Sequence, residues 1–128
     1  MSTLSTSERE NLARMLSERK EPLREEIRTG LKRMRTEGYE ELLSGTSDAG
    51  DRSVAKLLTD VNNAEVVRDA GELQDIFAAE TRLATGTYGT CIDCDSPIPY
   101  ARLVAYPTAK RCLGCQQTHE TTRGPAVR

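Results

Sequence analysis

Tryptophan is absent from this sequence, and phenylalanine and histidine occur once each. Leu, Ile, Val and Phe together number 24 of 128 residues, about 19%, which leaves little material for a large globular core. No apolar run approaches the length of a membrane span, and the opening Met1–Glu10 segment lacks the apolar stretch of a secretory signal. A cytoplasmic location without membrane association is therefore expected. A basic excess is missing as well: 18 Lys and Arg stand against 20 Asp and Glu, for a formal net charge of −2. DNA-binding domains usually carry a basic face that displaces counterions, so direct sequence-specific DNA binding is not expected. Disorder couples low hydrophobicity to high net charge. With 30% charged residues in near balance, this chain reads instead as long solvated helices. It contains no nucleophile–base constellation and no phosphate-binding glycine loop, so no enzyme is expected.

What the chain does have is four cysteines in two matched pairs. Cys91 and Cys94 form a C-x2-C turn, seventeen residues follow, and Cys112 and Cys115 repeat the spacing. Each short turn directs two thiolates at one centre, and four soft ligands suit one tetrahedral zinc ion. A full shell leaves no position for a catalytic water, so the zinc is read as structural. Iron in a rubredoxin-like site and a redox-labile thiol cluster, or metal-sensing module, remain as alternatives. A thioredoxin-like dithiol lacks its βαβ context here, and haem attachment lacks its histidine, since Asp95 and Gln116 follow the pairs. His119 lies four residues past the last cysteine and reads as a solvated helix residue.

Ahead of the cysteines the pattern is helical. Ser7 with Glu10 reads as a capping box, and Leu12, Leu16, Leu23, Ile27, Leu31 and Met34 form one stripe. The stems of Arg19 and Lys20 are expected to cover its gap. Pro22 is expected to kink or break this helix, and Gly30 and Gly38 weaken its later part. The turn-rich run from Ser44 to Asp51 argues against regular structure. A second helix is expected from about Arg52 to Thr85, reaching about 50 Å, with Val54, Leu57, Leu58, Val61, Ala64, Leu73, Ile76, Phe77, Ala79 and Leu83 on its apolar face. Two such helices bury their stripes as an antiparallel, coiled-coil-like hairpin. Packing in a bundle or homodimer, as a self-associating structural adaptor, is the alternative. Gly86 is a natural stop. Pro97, Pro99 and Pro107 suit irregular segments between the cysteine pairs, with Ile98, Leu103 and Val104 as a small apolar plug. A short helix is expected over Gln116–Thr122. The expected fold is thus mainly α: a helical hairpin over residues 1–86 with an acidic tip near 44–52, a four-cysteine zinc-finger module with a terminal helix over 87–122, and a flexible tail over 123–128.

Asp48 and Asp51 stand three apart at the start of the second helix. As N-cap and third helical residue they would serve the helix itself. As exposed carboxylates at a tip they would meet a basic surface or a partner's metal.

Several strings are more specific than any of these patterns. In the finger they are Tyr88-Gly89-Thr90-Cys91, Cys94, Ile98, Arg102-Leu103-Val104-Ala105, Pro107-Thr108-Ala109, Cys112 and Cys115; at the tip, Asp48-Ala49-Gly50-Asp51-Arg52. Together they resemble the DksA/TraR family of bacterial transcription regulators, over about Asp48 to Cys115 and more loosely over the first helix. The resemblance implies a protein that binds RNA polymerase without binding DNA. Its hairpin would enter the secondary channel, with Asp48, Asp51, Arg52 and Ser53 near the polymerase active site and the zinc module at the channel rim. Ser53 stands where the family often has alanine, and Asp95 where it often has glycine. Members that respond to the alarmone ppGpp carry basic residues at positions that here hold Asp75, Tyr106 and Gln116, with Arg68 alone near the expected face. These offer a pyrophosphate no charge pairing, so a weak or absent ppGpp response is expected.

Overall fold

The computed structural model describes residues 4–34 and 47–123, apart from the side chains of 47–51, 53, 122 and 123. Gly38, the residues ahead of Ser47 in the expected tip (44–46) and residues 124–128 of the expected tail lie outside the described residues. Five helices account for most of the described chain: α1 (Thr6–Arg33), α2 (Ser47–Asp60), α3 (Ala64–Thr85), α4 (Tyr100–Ala105) and α5 (Leu113–Arg123). Among the described residues the only β pairing is an isolated antiparallel bridge, Thr90 with Pro97. No described helix is long and apolar enough to cross a membrane.

The described residues of Met1–Met15 and Ala79–Arg128 make one compact unit, and those of Leu16–Ala78 make another. In the second, Leu16, Leu23, Ile27 and Leu31 of α1 are buried, as are Val54 and Leu57 of α2 and Val66, Ala70, Leu73 and Ile76 of α3. α1 and α3 run antiparallel here. Arg19 grips Glu72 through two bonds of 2.7 and 3.0 Å, and further along α1 Gly30 meets Val66. The Arg19–Glu72 pair is half exposed and contributes little energy, but its fork geometry fixes the register. The Arg24 guanidinium lies 5.9 Å from the Phe77 ring centre, a cation–π contact that shields the core edge.

Three expectations about the helices need correction, and one is narrowed. α1 begins at Thr6, so its capping box is Ser5 with Glu8, not Ser7 with Glu10. The Glu8 amide donates to Ser5 Oγ at 3.1 Å, and the Ser5 amide donates to Glu8 Oε1 at 2.9 Å. Both pairs fit S-x-x-E, and the earlier one caps the extra first turn. Of the two outcomes expected at Pro22, the break is excluded, because α1 runs through it as one helix; proline removes one ladder bond, and burial of leucines on both sides holds the helix together. α2 starts at Ser47, so the turn-rich run is helical from there. Finally, the single second helix is two, interrupted at 61–63.

The interruption follows from the phase of the apolar residues. Val54, Leu57 and Val61 share one side of α2. Extended as a straight helix at about 100° per residue, the run would turn Val66, Ala70, Leu73 and Phe77 nearly half a turn away from them. A break lets both sets be buried. Asn63 caps the restart, its Oδ1 accepting the Val66 amide at 3.1 Å. Ala64, expected on the apolar face, is exposed, while Val66 and Ala70 are buried.

In the other unit α3 ends as a Schellman motif. Gly86 has φ +83°, and the Thr87 amide reaches back to the Arg82 carbonyl at 2.9 Å. Asn11 of α1 donates to Tyr100 Oη of α4 at 2.8 Å. Leu4, Leu12, Ala79, Tyr88, Ile98, Leu103 and Ala109 are buried. The Tyr88 hydroxyl donates to the Pro107 carbonyl at 2.7 Å, and burial pushes its pKa up to about 12. Val104 does not join the apolar plug; it is 40% exposed. The prolines hid α4, because Pro99 sits just before the helix, where its missing N–H and fixed φ of −60° do no harm.

Candidate metal centre

The first cysteine turn is shaped by its backbone. The Cys91 amide donates to the Ser96 carbonyl at 2.8 Å, the Asp95 amide to the Cys91 carbonyl at 3.0 Å, and the Ile98 amide to the Gly89 carbonyl at 2.8 Å. Closing so tight a turn requires left-handed backbone at Asp95, with φ +62°. Aspartate is among the few non-glycine residues that visit this region readily. The second turn is tied to the first twice. The Ile92 amide donates to the Lys110 carbonyl at 2.9 Å, and Arg111 Nε pairs with Asp93 at 2.8 Å. α5 opens directly after Cys112, and the Cys115 amide points at Cys112 Sγ at 3.4 Å. A helix N-terminus favours a thiolate there.

These elements bring the four sulfurs of Cys91, Cys94, Cys112 and Cys115 within 4.8 Å of one another. The cysteines form no disulfide. Cys94 Sγ and Cys112 Sγ are 3.8 Å apart, the edge length of a tetrahedron with zinc–sulfur bonds of about 2.3 Å. Donor type, number and spacing thus fit one structural zinc. Cys91 is buried and Cys94 exposed, with the second pair between. Burial raises the Cys91 thiol, but hydrogen bonds from the backbone of Cys112, Cys94 and Asp93 outweigh it and bring the pKa down to about 6. The Ser96 hydroxyl and amide lower Cys94 in the same way. Cys115 is raised by hydrogen bonding with the other three sulfurs, Cys112 foremost. A divalent cation at the centre offsets the repulsion among such thiolates. Ser96 and the Asp93–Arg111 pair went unnoticed in the sequence. Opposite charges beside the two cysteine pairs were the available signal.

The acidic pair lies elsewhere. Asp48 and Asp51 are the second and fifth residues of α2, so Asp48 falls inside the helix instead of capping it. The side chains of Asp48, Asp51 and Ser53 lie outside the described residues, and Arg52 is exposed. Of the positions weighed for ppGpp, Asp75 is exposed on α3. Tyr106 carries the Arg102 guanidinium 5.8 Å from its ring centre, and Gln116 donates to Glu120. Arg68 is exposed.

Residues 86–120 match the sequence model of the prokaryotic dksA/traR C4-type zinc finger. An uncharacterized 8.2 kDa protein of Escherichia phage P2 is 43% identical over 47 residues, covering 37% of this chain and 64% of that protein. The YlyA protein of Bacillus subtilis is 44% identical over 39 residues, covering 30% of this chain and 32% of that one. An uncharacterized protein of Aquifex aeolicus is 33% identical over 69 residues, covering 54% and 45%. The chain thus spans less than two thirds of the length of each of these relatives. In fold it is similar to transcription factor DksA2 from Pseudomonas aeruginosa, with a TM-score of 0.64 and 20% identity over 93% of this chain and 88% of that one. The resemblance read from the residues is borne out at the finger by the family's own sequence model and in the fold by DksA2: the segment from Gly86 to Glu120 is a C4-type zinc finger of the dksA/traR kind.

Proposed function

We propose that the protein is a DksA-like transcription regulator that binds RNA polymerase and not DNA. The observation that carries this reading is the joint one: a dksA/traR finger over residues 86–120 within a chain whose fold is similar to DksA2 over 93% of its length. The helical pair enters the secondary channel, and Asp48, Asp51, Arg52 and Ser53 of α2 act near the polymerase active site. The zinc holds the finger and does no chemistry. Transcription in vitro with purified polymerase tests the reading. Asp48→Asn with Asp51→Asn should leave polymerase binding largely intact and abolish the effect on initiation; normal regulation by the double variant would sink the tip assignment. Added ppGpp should change the effect little, because Asp75, Tyr106 and Gln116 offer it no cation. A shift as large as that of a responsive family member would overturn this.

A thiol-sensing role is the second reading, favoured by the exposure of Cys94. It requires mild oxidant to release metal and change activity reversibly. Metal retained under oxidant would remove its basis.

A further inference from the structure

The segment that carries the second cysteine pair has no regular structure from 106 to 112, yet side chains of the same unit hold its backbone. The Tyr88 hydroxyl donates to the Pro107 carbonyl at 2.7 Å, Arg82 Nη2 to the Thr108 carbonyl at 3.5 Å, and Arg102 Nε to the Arg111 carbonyl at 3.3 Å. These bonds anchor the segment to the end of α3 and to α4. Two further bonds tie it to the first cysteine turn. One is the Ile92 amide on the Lys110 carbonyl at 2.9 Å; the other is the Arg111 Nε–Asp93 pair at 2.8 Å. Asp93 adjoins Cys94 and Arg111 adjoins Cys112, and the sulfurs of these two cysteines stand 3.8 Å apart. The Arg111 side chain is only 12% exposed, against 45% for Asp93. A guanidinium so deep in the fold costs far more to leave without its carboxylate than a surface pair is worth. Charge alone does not account for Asp93. Four thiolates around one divalent ion leave the centre net negative, and a bare carboxylate beside it is repelled. Nor is Asp93 a ligand by position: among the described residues the group that could hold a metal is the four cysteines.

We propose that Asp93 and Arg111 are positioning residues for the metal: their ion pair is a latch that holds the Cys112 turn on the Cys94 turn, so that zinc is bound more tightly and lost more slowly than four thiolates alone would allow. The latch acts through the cysteines and touches no metal itself. It is a property of the finger and stands or falls without polymerase.

Zinc affinity and the rate of zinc loss to excess chelator test it on the full chain, with Co²⁺ in place of zinc for the visible spectrum. Asp93→Ala, Arg111→Met and the double variant form a cycle; methionine keeps much of the apolar bulk of the arginine stem. Each single variant should weaken zinc affinity by about tenfold, the lower end of what partners that orient metal ligands contribute, and should lose zinc faster. The double variant should be no weaker than the worse single one, because both changes remove the same bond. Arg111→Lys keeps the charge without the fork and should fall between wild type and Arg111→Met. The Co²⁺ spectrum should stay that of four thiolates in every variant. The direction of the change at Asp93 separates a latch from a bare charge. If Asp93→Ala binds zinc as tightly as wild type, or more tightly, the latch is overturned. Additive losses in the cycle would overturn it as well, and so would a changed Co²⁺ spectrum in Asp93→Ala, which would make Asp93 a ligand. Should Arg111→Met bind no metal at all, Asp93→Ala at the exposed end of the pair and Arg111→Lys still decide: wild-type affinity in both removes the latch.

Discussion

Gly30 of α1 lies so close to Val66 of α3 that a Cβ on the glycine would stand 2.5 Å from Val66 Cγ2. Real side chains do not approach so closely, and a β-branched valine has one strongly preferred rotamer in a helix. The two helices therefore cross tightly because one residue has no side chain. Gly30→Ala should gain about 1 kcal/mol of helix propensity and lose about 1–3 kcal/mol to overpacking, with a net loss of stability. Val66→Ala in the same chain should recover part of that loss. Urea unfolding of the two single variants and the double variant measures the coupling; additive effects would mean that the contact does not matter.

This contact marks where the sequence became hard to read. Gly30 registered only as a weak helix former, because close approach depends on what lies opposite. The same applies to the second helix. Val54, Leu57 and Val61 fit one stripe and Leu73, Ile76 and Phe77 another, and the eye joins them. Only the folded surroundings decide that both stripes must be buried, and Asn63 then becomes a cap. The cysteine quartet was legible because a metal site needs nothing but spacing and ligand type. The plug around it was half legible: Ile98 and Leu103 are buried as read. Tyr88 and Ala109 join them unforeseen, since their burial depends on the path of Pro107.

Removing zinc should unfold the finger and spare the helical unit. Cys91 is buried at the centre of the finger, and α5 starts directly after Cys112. Metal binding at such a site is folding free energy. The unit of Leu16–Ala78 has its own buried leucines and no cysteine. α4 and α5 hold about a fifth of the helical residues among those described, and about that share of the circular-dichroism signal should disappear on chelation. A cooperative loss of the whole signal would contradict two separable units.

Asp69 should make the α1–α3 seam mildly sensitive to acid. Partial desolvation raises its pKa first of all; the charge of Glu26 and a hydrogen bond with it, and the charge of Glu72, add to this, and Arg68 opposes it. A carboxyl whose pKa is higher folded than unfolded favours the folded state when protonated, and that contribution fades as pH rises through the folded value. Asp69→Asn, which mimics the protonated form, should therefore be slightly more stable at pH 7. The gain should be about 0.5 kcal/mol or less, because the groups are solvent-screened. The advantage should shrink as pH falls through the titration of Asp69. Denaturant midpoints from pH 3 to 7 measure it; an advantage that grows on acidification would have the wrong sign.

Asp95 shows how far the finger tolerates a residue other than glycine at a left-handed position. Its φ of +62° costs an ordinary L-residue about 1–2 kcal/mol, a cost that aspartate reduces through its short polar side chain. Asp95→Gly should therefore hold zinc at least as tightly as wild type. Asp95→Val adds a branch at Cβ where the backbone crowds it most. Because finger folding and metal binding are linked, the strain should weaken apparent zinc affinity by about tenfold, the equivalent of about 1.4 kcal/mol. Competition against a chelator of known affinity reads this directly. If the valine variant binds as tightly as wild type, the turn does not depend on left-handed backbone at residue 95.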